Sequence, residues 1–179
     1  MTGLDMRATE VADKLARLRA TLVQEGAGAV RLRGTDWFAW VTAGGPRAVL
    51  LTTGAGVAEV LVTQDDACVL TDEIEGERLR AEEVPGGFTF HIEPWAEREL
   101  RERFVANAAQ GRAVLSDRPA GEERPLPLAL RQRKLVLGDA EHARYRLLGR
   151  EAAEAMTEVL HRARPDWTEQ QLAGAGAEA

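Results

Sequence analysis

Between Gly34 and Arg47 the chain runs Gly-Thr-Asp-Trp-Phe-Ala-Trp-Val-Thr-Ala-Gly-Gly-Pro-Arg, which brings two of its four tryptophans, a carboxylate, a glycine pair and an arginine into one connection. Aromatic faces beside charge suit a ligand rim or a protein interface, and connections carry function more often than the scaffold they join. A plainer reading stands equal to it: Trp37 and Trp40, three residues apart, anchor a short helix on a sheet.

Elsewhere the residues that could do chemistry lack the company it requires. A phosphate-cradling loop needs backbone N–H groups exposed after a strand and before a helix. Gly26 and Gly28 instead precede a strand, and Gly54 and Gly56 lie between strands, so both pairs read as turns. Ser116 is the only serine, and Leu-Ser-Asp-Arg around it is no nucleophile elbow; it reads as a strand-end cap. Cys68, the only cysteine, sits in the apolar run Ala67-Cys68-Val69-Leu70 and reads as a buried thiol without an activating partner. The three histidines are scattered: His91 on a strand opposite the core face, His142 in the first turn of a helix and His161 in its last, where a cation interacts well with the helix dipole. Glu154 and Glu158 share a helix face as solvated carboxylates do. No metal-ligating set converges. Arg131-Gln132-Arg133-Lys134 invites a phosphate, but Glu122, Glu123, Asp139 and Glu141 nearby turn it into a mixed-charge surface.

The elements that must position these residues follow from periodicity. Val11, Leu15, Leu18 and Leu22 form one helical stripe from Thr9 onward, closed by Gly26 and Gly28. Ala29 to Arg33 alternates Val30 and Leu32 against Arg31 and Arg33, the pattern of a half-buried strand. Asp36 is placed to cap a short helix through Trp37 and Trp40. Runs at Arg47 to Thr53, Val57 to Thr63 and Ala67 to Thr71, joined by short polar or glycine turns, predict an antiparallel meander. Asp72 to Glu83 reads as a surface helix, Phe88 to Ile92 as a strand, Trp95 to Ala109 as a helix and Ala113 to Leu115 as a short strand. The sum is an α/β architecture: a mixed sheet of five or six strands flanked by helices. A proline-rich linker is expected over Arg118 to Pro127. Beyond it Asp139 can cap a long helix on which Tyr145, Leu148, Ala152, Met156, Val159 and Ala163 share a stripe.

The 179 residues suit one domain, or a domain plus a fragment. A net charge of −6 argues against nucleic acid as the main partner. A lone cysteine fits a reducing cytoplasm, and neither a leader nor a run of 18 apolar residues suggests secretion or a membrane partner. At Pro165-Asp166-Trp167-Thr168-Glu169 a new helix opens, Thr168 and Gln171 having capping-box spacing, with too little after it to bury a face. The expectation is the front part of a larger protein.

Two segments carry a family resemblance. Trp40-Val41-Thr42-Ala43-Gly44 is similar to the aromatic-Leu-Thr-Gly element of creatinase and aminopeptidase P/prolidase-type (M24, "pita-bread") proteins, with Ala43 as an extra residue before the glycine. Arg144-Tyr145-Arg146-Leu147-Leu148-Gly149 and Pro165-Asp166-Trp167-Thr168-Glu169 resemble that family's connecting helix and its Pro-Gly-x-Thr-Glu catalytic-domain start, Asp166 standing where glycine is usual. The resemblance also follows the order of elements, through Gly28 to Leu32, Ala48 to Leu51 and Val60 to Thr63. It implies a creatinase-type, ribonuclease H-like amino-terminal domain over 1–127, a linker and connecting helix over 128–164, and the start of a truncated catalytic domain over 165–179. The family's two aspartates, one histidine and two glutamates, which hold two divalent metal ions (manganese, cobalt or zinc), would lie beyond Ala179. This chain would then be non-catalytic and the parent a metal-dependent Xaa-Pro peptidase. Its partners would be its own catalytic domain and a second subunit in a homodimer, with Asp36, Trp37, Trp40 and Arg47 as a substrate-facing rim. A creatinase-like C–N hydrolase parent is the alternative within the family. A stand-alone binding module using the Trp37/Trp40 surface is the alternative outside it.

Overall fold

The computed structural model describes residues 3–45 and 54–179. The strand expected over Arg47 to Thr53, and Arg47 itself, lie outside the described residues. The chain divides into two compact units, 1–136 and 137–179.

In the first unit α1 (Gly3–Glu25) buries the stripe its spacing predicts, Val11, Leu15, Leu18 and Leu22. It stops at Gly26, whose φ of +60° lies in the left-handed region open to a residue without a Cβ. After it come β1 (Ala29–Gly34), α2 (Thr35–Val41), β2 (Ala55–Val62) and β3 (Ala67–Asp72). A single helical turn, α3 (Gly76–Arg78), widens into a π-type turn at Leu79–Glu83, and then β4 (Thr89–Glu93), α4 (Arg98–Ala109), β5 (Val114–Ser116), β6 (Arg124–Pro125) and α5 (Leu128–Lys134) complete the unit.

Among the described residues the strands form one mixed six-stranded sheet in the order β4-β3-β2-β1-β5-β6. β1/β2 and β2/β3 are antiparallel, while β1/β5, β3/β4 and β5/β6 are parallel. On one face Val30, Leu32, Val60, Val62, Val69 and Leu115 join Leu18, Leu22, Phe38 and Val41 in the larger core. On the other, Ala29, Leu61, Cys68 and Leu70 pack with Val105 and Ala109 of α4. Gly28 lets the end of α4 come close, since a Cβ there would stand 2.2 Å from the Ala109 carbonyl oxygen.

Several expectations are corrected. β1 is not half-buried: Arg31 is 1% exposed, because α4 covers the charged side as well. His91 lies opposite the larger core, as its alternation with Phe90 predicts, but on a side that α4 covers, stacked on Phe104. Asp36 is not the cap of α2; Gly34 is, and Asp36 falls in the first turn. The surface helix over 72–83 shrinks to α3 and its turn, with Leu79 fully buried in the core and Ile74 exposed. Trp95 precedes α4 and is exposed. The expected linker at 118–127 contains β6 and the buried Leu126, and α5 places Leu130 in the same core.

In the second unit α6 (Asp139–Arg162) and α7 (Glu169–Glu178) form a helix pair. Gly138, not Asp139, caps α6, and the Glu141 carboxylate accepts the Gly138 N–H at 2.8 Å. α7 opens with the expected capping box: Thr168 Oγ1 accepts the Gln171 N–H at 3.3 Å and Gln171 Oε1 accepts the Thr168 N–H at 2.8 Å.

Candidate functional site

Three of the four rim candidates, Asp36, Trp37 and Trp40, lie on α2. The indole rings meet edge to face with centroids 5.5 Å apart, an arrangement the ring quadrupoles favour, and both are buried. Each carries a cation: Lys134 Nζ stands 4.7 Å from the Trp37 ring centroid and Lys14 Nζ 5.1 Å from that of Trp40. Lys14 also donates to Glu10 Oε1 at 2.5 Å and to the Trp40 carbonyl at 2.8 Å. Asp36 remains exposed and pairs with Lys134. Partial burial pushes the Asp36 carboxyl up, but the hydrogen bond and charge of Lys134 outweigh it and hold the group below its usual value. The corner thus presents one exposed carboxylate on a shelf of buried aromatic rings.

Its backbone is fixed from both ends. Asp117 Oδ1 accepts the Arg33 N–H and Oδ2 the Gly34 N–H, both at 2.7 Å, pinning the passage from β1 into α2. At the far end Gly44 N–H donates to Ala39 O at 2.7 Å and Ala43 N–H to Trp40 O at 3.2 Å, the paired bonds of a Schellman closure. Ala43, the residue that interrupts the family-like motif, takes the left-handed position with φ 54°. Thr42 Oγ1 donates to Phe38 O at 2.8 Å and accepts the Gly45 N–H at 3.0 Å.

A second constellation lies between the sheet and α4. Arg31 Nε donates to Glu59 at 2.5 Å, both of its terminal nitrogens to Glu102 at 2.7 Å, and Nη1 to Glu123 at 3.2 Å. Arg33 donates to Glu123 Oε1 at 2.7 Å, to Ser116 Oγ at 3.1 Å and to the Arg118 carbonyl at 2.8 Å. Arg101 pairs with Glu93 and reaches Glu59 at 3.3 Å. Bidentate pairing by Arg31 holds the Glu102 carboxyl below its ordinary value, and Arg33 overcomes burial to do the same for Glu123. Burial pushes Glu93 up despite Arg101, and burial with the nearby Arg101 charge pushes His91, stacked on Phe104 at 4.0 Å, down.

Every one of these four glutamates is engaged by a guanidinium, so the layer clamps α4 and the 117–125 segment to the sheet and offers no oxygen cage to a cation. Among the described residues no group of three histidine, cysteine, aspartate or glutamate side chains is arranged to hold a metal ion. A pair of metal ions therefore finds no fit in the described residues. No described helix is long and apolar enough to cross a membrane.

A mixed six-stranded sheet flanked by these helices is the fold of the amino-terminal domain of M24-type peptidases. The chain is similar to an Xaa-Pro dipeptidase from Bacillus anthracis (TM-score 0.63, 15% identity, 93% of this chain and 47% of that one). It is similar also to an X-Pro aminopeptidase from Thermotoga maritima (TM-score 0.67, 12% identity, 90% and 47%) and to dipeptidase PepE from Mycobacterium ulcerans (TM-score 0.62, 19% identity, 95% and 48%). The chain spans about half the length of these structures. No family model and no curated protein sequence matches it.

Proposed function

We propose that this chain is the amino-terminal, non-catalytic part of a cytoplasmic, metal-dependent peptidase of the Xaa-Pro aminopeptidase or dipeptidase type. The observation that carries the reading is the fold likeness, which extends over at least 90% of the chain and about half of each peptidase. In the parent, two divalent ions supplied with ligands by the other half would activate water for attack on the amide carbonyl. The residues described here would build a wall around that chemistry rather than perform it. Asp36 would face substrate from the α2 corner, with Trp37 and Trp40 holding it in place and Arg47 following in the chain. The same domain would contribute contacts to a homodimer. Neighbours named as peptidases favour amide substrates over creatine-like ones. The burial of both indole rings gives a stand-alone binding module little surface to use.

The test is a paired assay of the 179-residue chain and of the product of the reading frame continued past codon 179, each with manganese, cobalt or zinc, against Xaa-Pro dipeptides, longer peptides with proline second, and creatine. The longer product should cleave an Xaa-Pro bond and lose activity to a chelator, and the 179-residue chain should be inert. Metal-dependent turnover by the shorter chain, or a continuation without acidic and histidine ligands, would overturn the reading.

A further inference from the structure

Beneath α4 two buried polar atoms face each other without a hydrogen bond. His91 and Glu93 stand two apart on β4, so both side chains point to the face that α4 covers. The Glu93 side chain is 2% exposed, and its Oε1 is taken by Arg101 Nε. Its Oε2 has no hydrogen-bond partner among the described residues, nor has His91 Nε2, and both atoms are shut off from solvent. They lie 3.4 Å apart, too close for a water to stand between them. Phe104 of α4 holds the imidazole in place, stacked on it with centroids 4.0 Å apart. The His91 side chain is 26% exposed although Nε2 is buried, so solvent meets the rest of it, which carries Nδ1.

The charged and titratable groups around the pair come from three elements: Arg101 from α4, Glu59 from β2, and Asp72 with the Cys68 thiol from β3. Glu59 is occupied by Arg31 and Arg101, and Asp72 by the Ile74 and Glu75 N–H groups, so neither fills the gap. A carboxylate oxygen against an unprotonated ring nitrogen sets lone pair against lone pair where water does not reach, a costly arrangement. A proton between them removes that cost. Burial favours the uncharged form of both partners, pushing Glu93 up and His91 down, and the Arg101 charge adds to the second shift. An imidazolium is therefore the least favoured way to fill the gap.

We propose that His91 is a proton relay to the buried Glu93: its Nε2–H donates to the carboxylate, and on acidification a proton from water binds Nδ1 while the Nε2 proton passes to Oε2. The imidazole ends neutral as its Nδ1–H tautomer, and the new carboxyl O–H donates back to Nε2. The pair gains one proton, no bond between heavy atoms changes, and the gap stays bridged in both states. β4 thus keeps its hold on α4 while the Glu102 and Glu123 clamps are lost to acid. The relay lies within the sheet and α4 and is independent of the peptidase reading.

The test is nitrogen and carbon NMR of the 179-residue chain, labelled at histidine and glutamate, through a pH titration. As the Glu93 carboxyl carbon titrates, Nε2 should change from a protonated to an unprotonated ring nitrogen and Nδ1 the reverse, at one shared midpoint. Hydrogen-exchange protection of the β4 amides should hold within about twofold across that step. In Glu93→Gln, whose side-chain amide can donate to Nε2 at either pH, His91 should stay the Nδ1–H tautomer over the same step. The wild-type titration decides by itself where Glu93→Gln fails to fold. Protonation of both ring nitrogens in that step makes the pair an ordinary ion pair and overturns the inference. So do separate midpoints for the two residues, a fall of about tenfold or more in β4 protection, or an Nε2 that still changes in Glu93→Gln.

Discussion

At the scale of single residues, Arg31 decides the most. Its guanidinium is buried and bonded to Glu59, Glu102 and Glu123, so truncation strips Glu102 of its hydrogen-bonded guanidinium and leaves Arg101 and Arg33 alone to balance Glu59 and Glu123. Arg31→Ala should therefore cost about 3–5 kcal/mol in urea unfolding, the penalty of orphaning buried charge; a loss under about 1 kcal/mol would mean that water reaches the layer. Ala43 offers the opposite experiment. A left-handed non-glycine costs about 1–2 kcal/mol, partly offset by the extra unfolded-state freedom glycine brings. Ala43→Gly should thus hold or raise stability by up to about 1 kcal/mol, and Ala43→Val should lower it. At the α2 corner Trp40→Ala should destabilise by about 3–5 kcal/mol, as removal of a buried indole does. Asp36→Ala should leave the melt nearly unchanged and, in the proposed parent, show itself in KM.

At the scale of elements, the ionic layer gives α4 an acid-sensitive attachment. Glu102 and Glu123 have lowered values in the folded chain, so their stabilisation is present above the ordinary carboxylate value and is lost as pH falls through the lowered ones. His91, a base held below its ordinary value, adds in the same sense, its contribution lost as pH falls through that lowered value. Glu93 acts oppositely, because its raised value favours the protonated folded form and its contribution is lost as pH rises through it. Two clamped carboxylates and the imidazole oppose one. Thermal midpoints should fall as pH drops below about 4.3, and Glu102→Gln should flatten that fall; an unchanged slope would show that Arg31 does not hold Glu102 in solution. Gly28→Ala, which drives a methyl into the Ala109 carbonyl, should loosen the end of α4 at a cost of about 1–3 kcal/mol.

Over the whole molecule, what the sequence disclosed divides by range. The α1 stripe, the β2–β3 hairpin and the Thr168–Gln171 box are local patterns, and each appears where its spacing requires. The burial of Arg31 was invisible, because its partners lie 28, 71 and 92 residues away and a charged period-two face looks the same whether water or α4 covers it. Lys134 meets Asp36 across 98 residues, so the α2 corner could be suspected from its tryptophans but not completed. Asp117, which fixes the start of α2, carried no motif at all.

Cys68, 4% exposed and lodged beneath α4 beside Leu61 and Leu70, turns the protein into its own gauge. Burial pushes its thiol up, so nearly all reaction with a thiol reagent must pass through a conformation in which α4 has lifted. Because no other sulfhydryl competes, a simple labelling rate clocks how often the sheet's second face breathes. Acid, a variant or a docked companion would each alter that tempo in a colour anyone can follow in a cuvette.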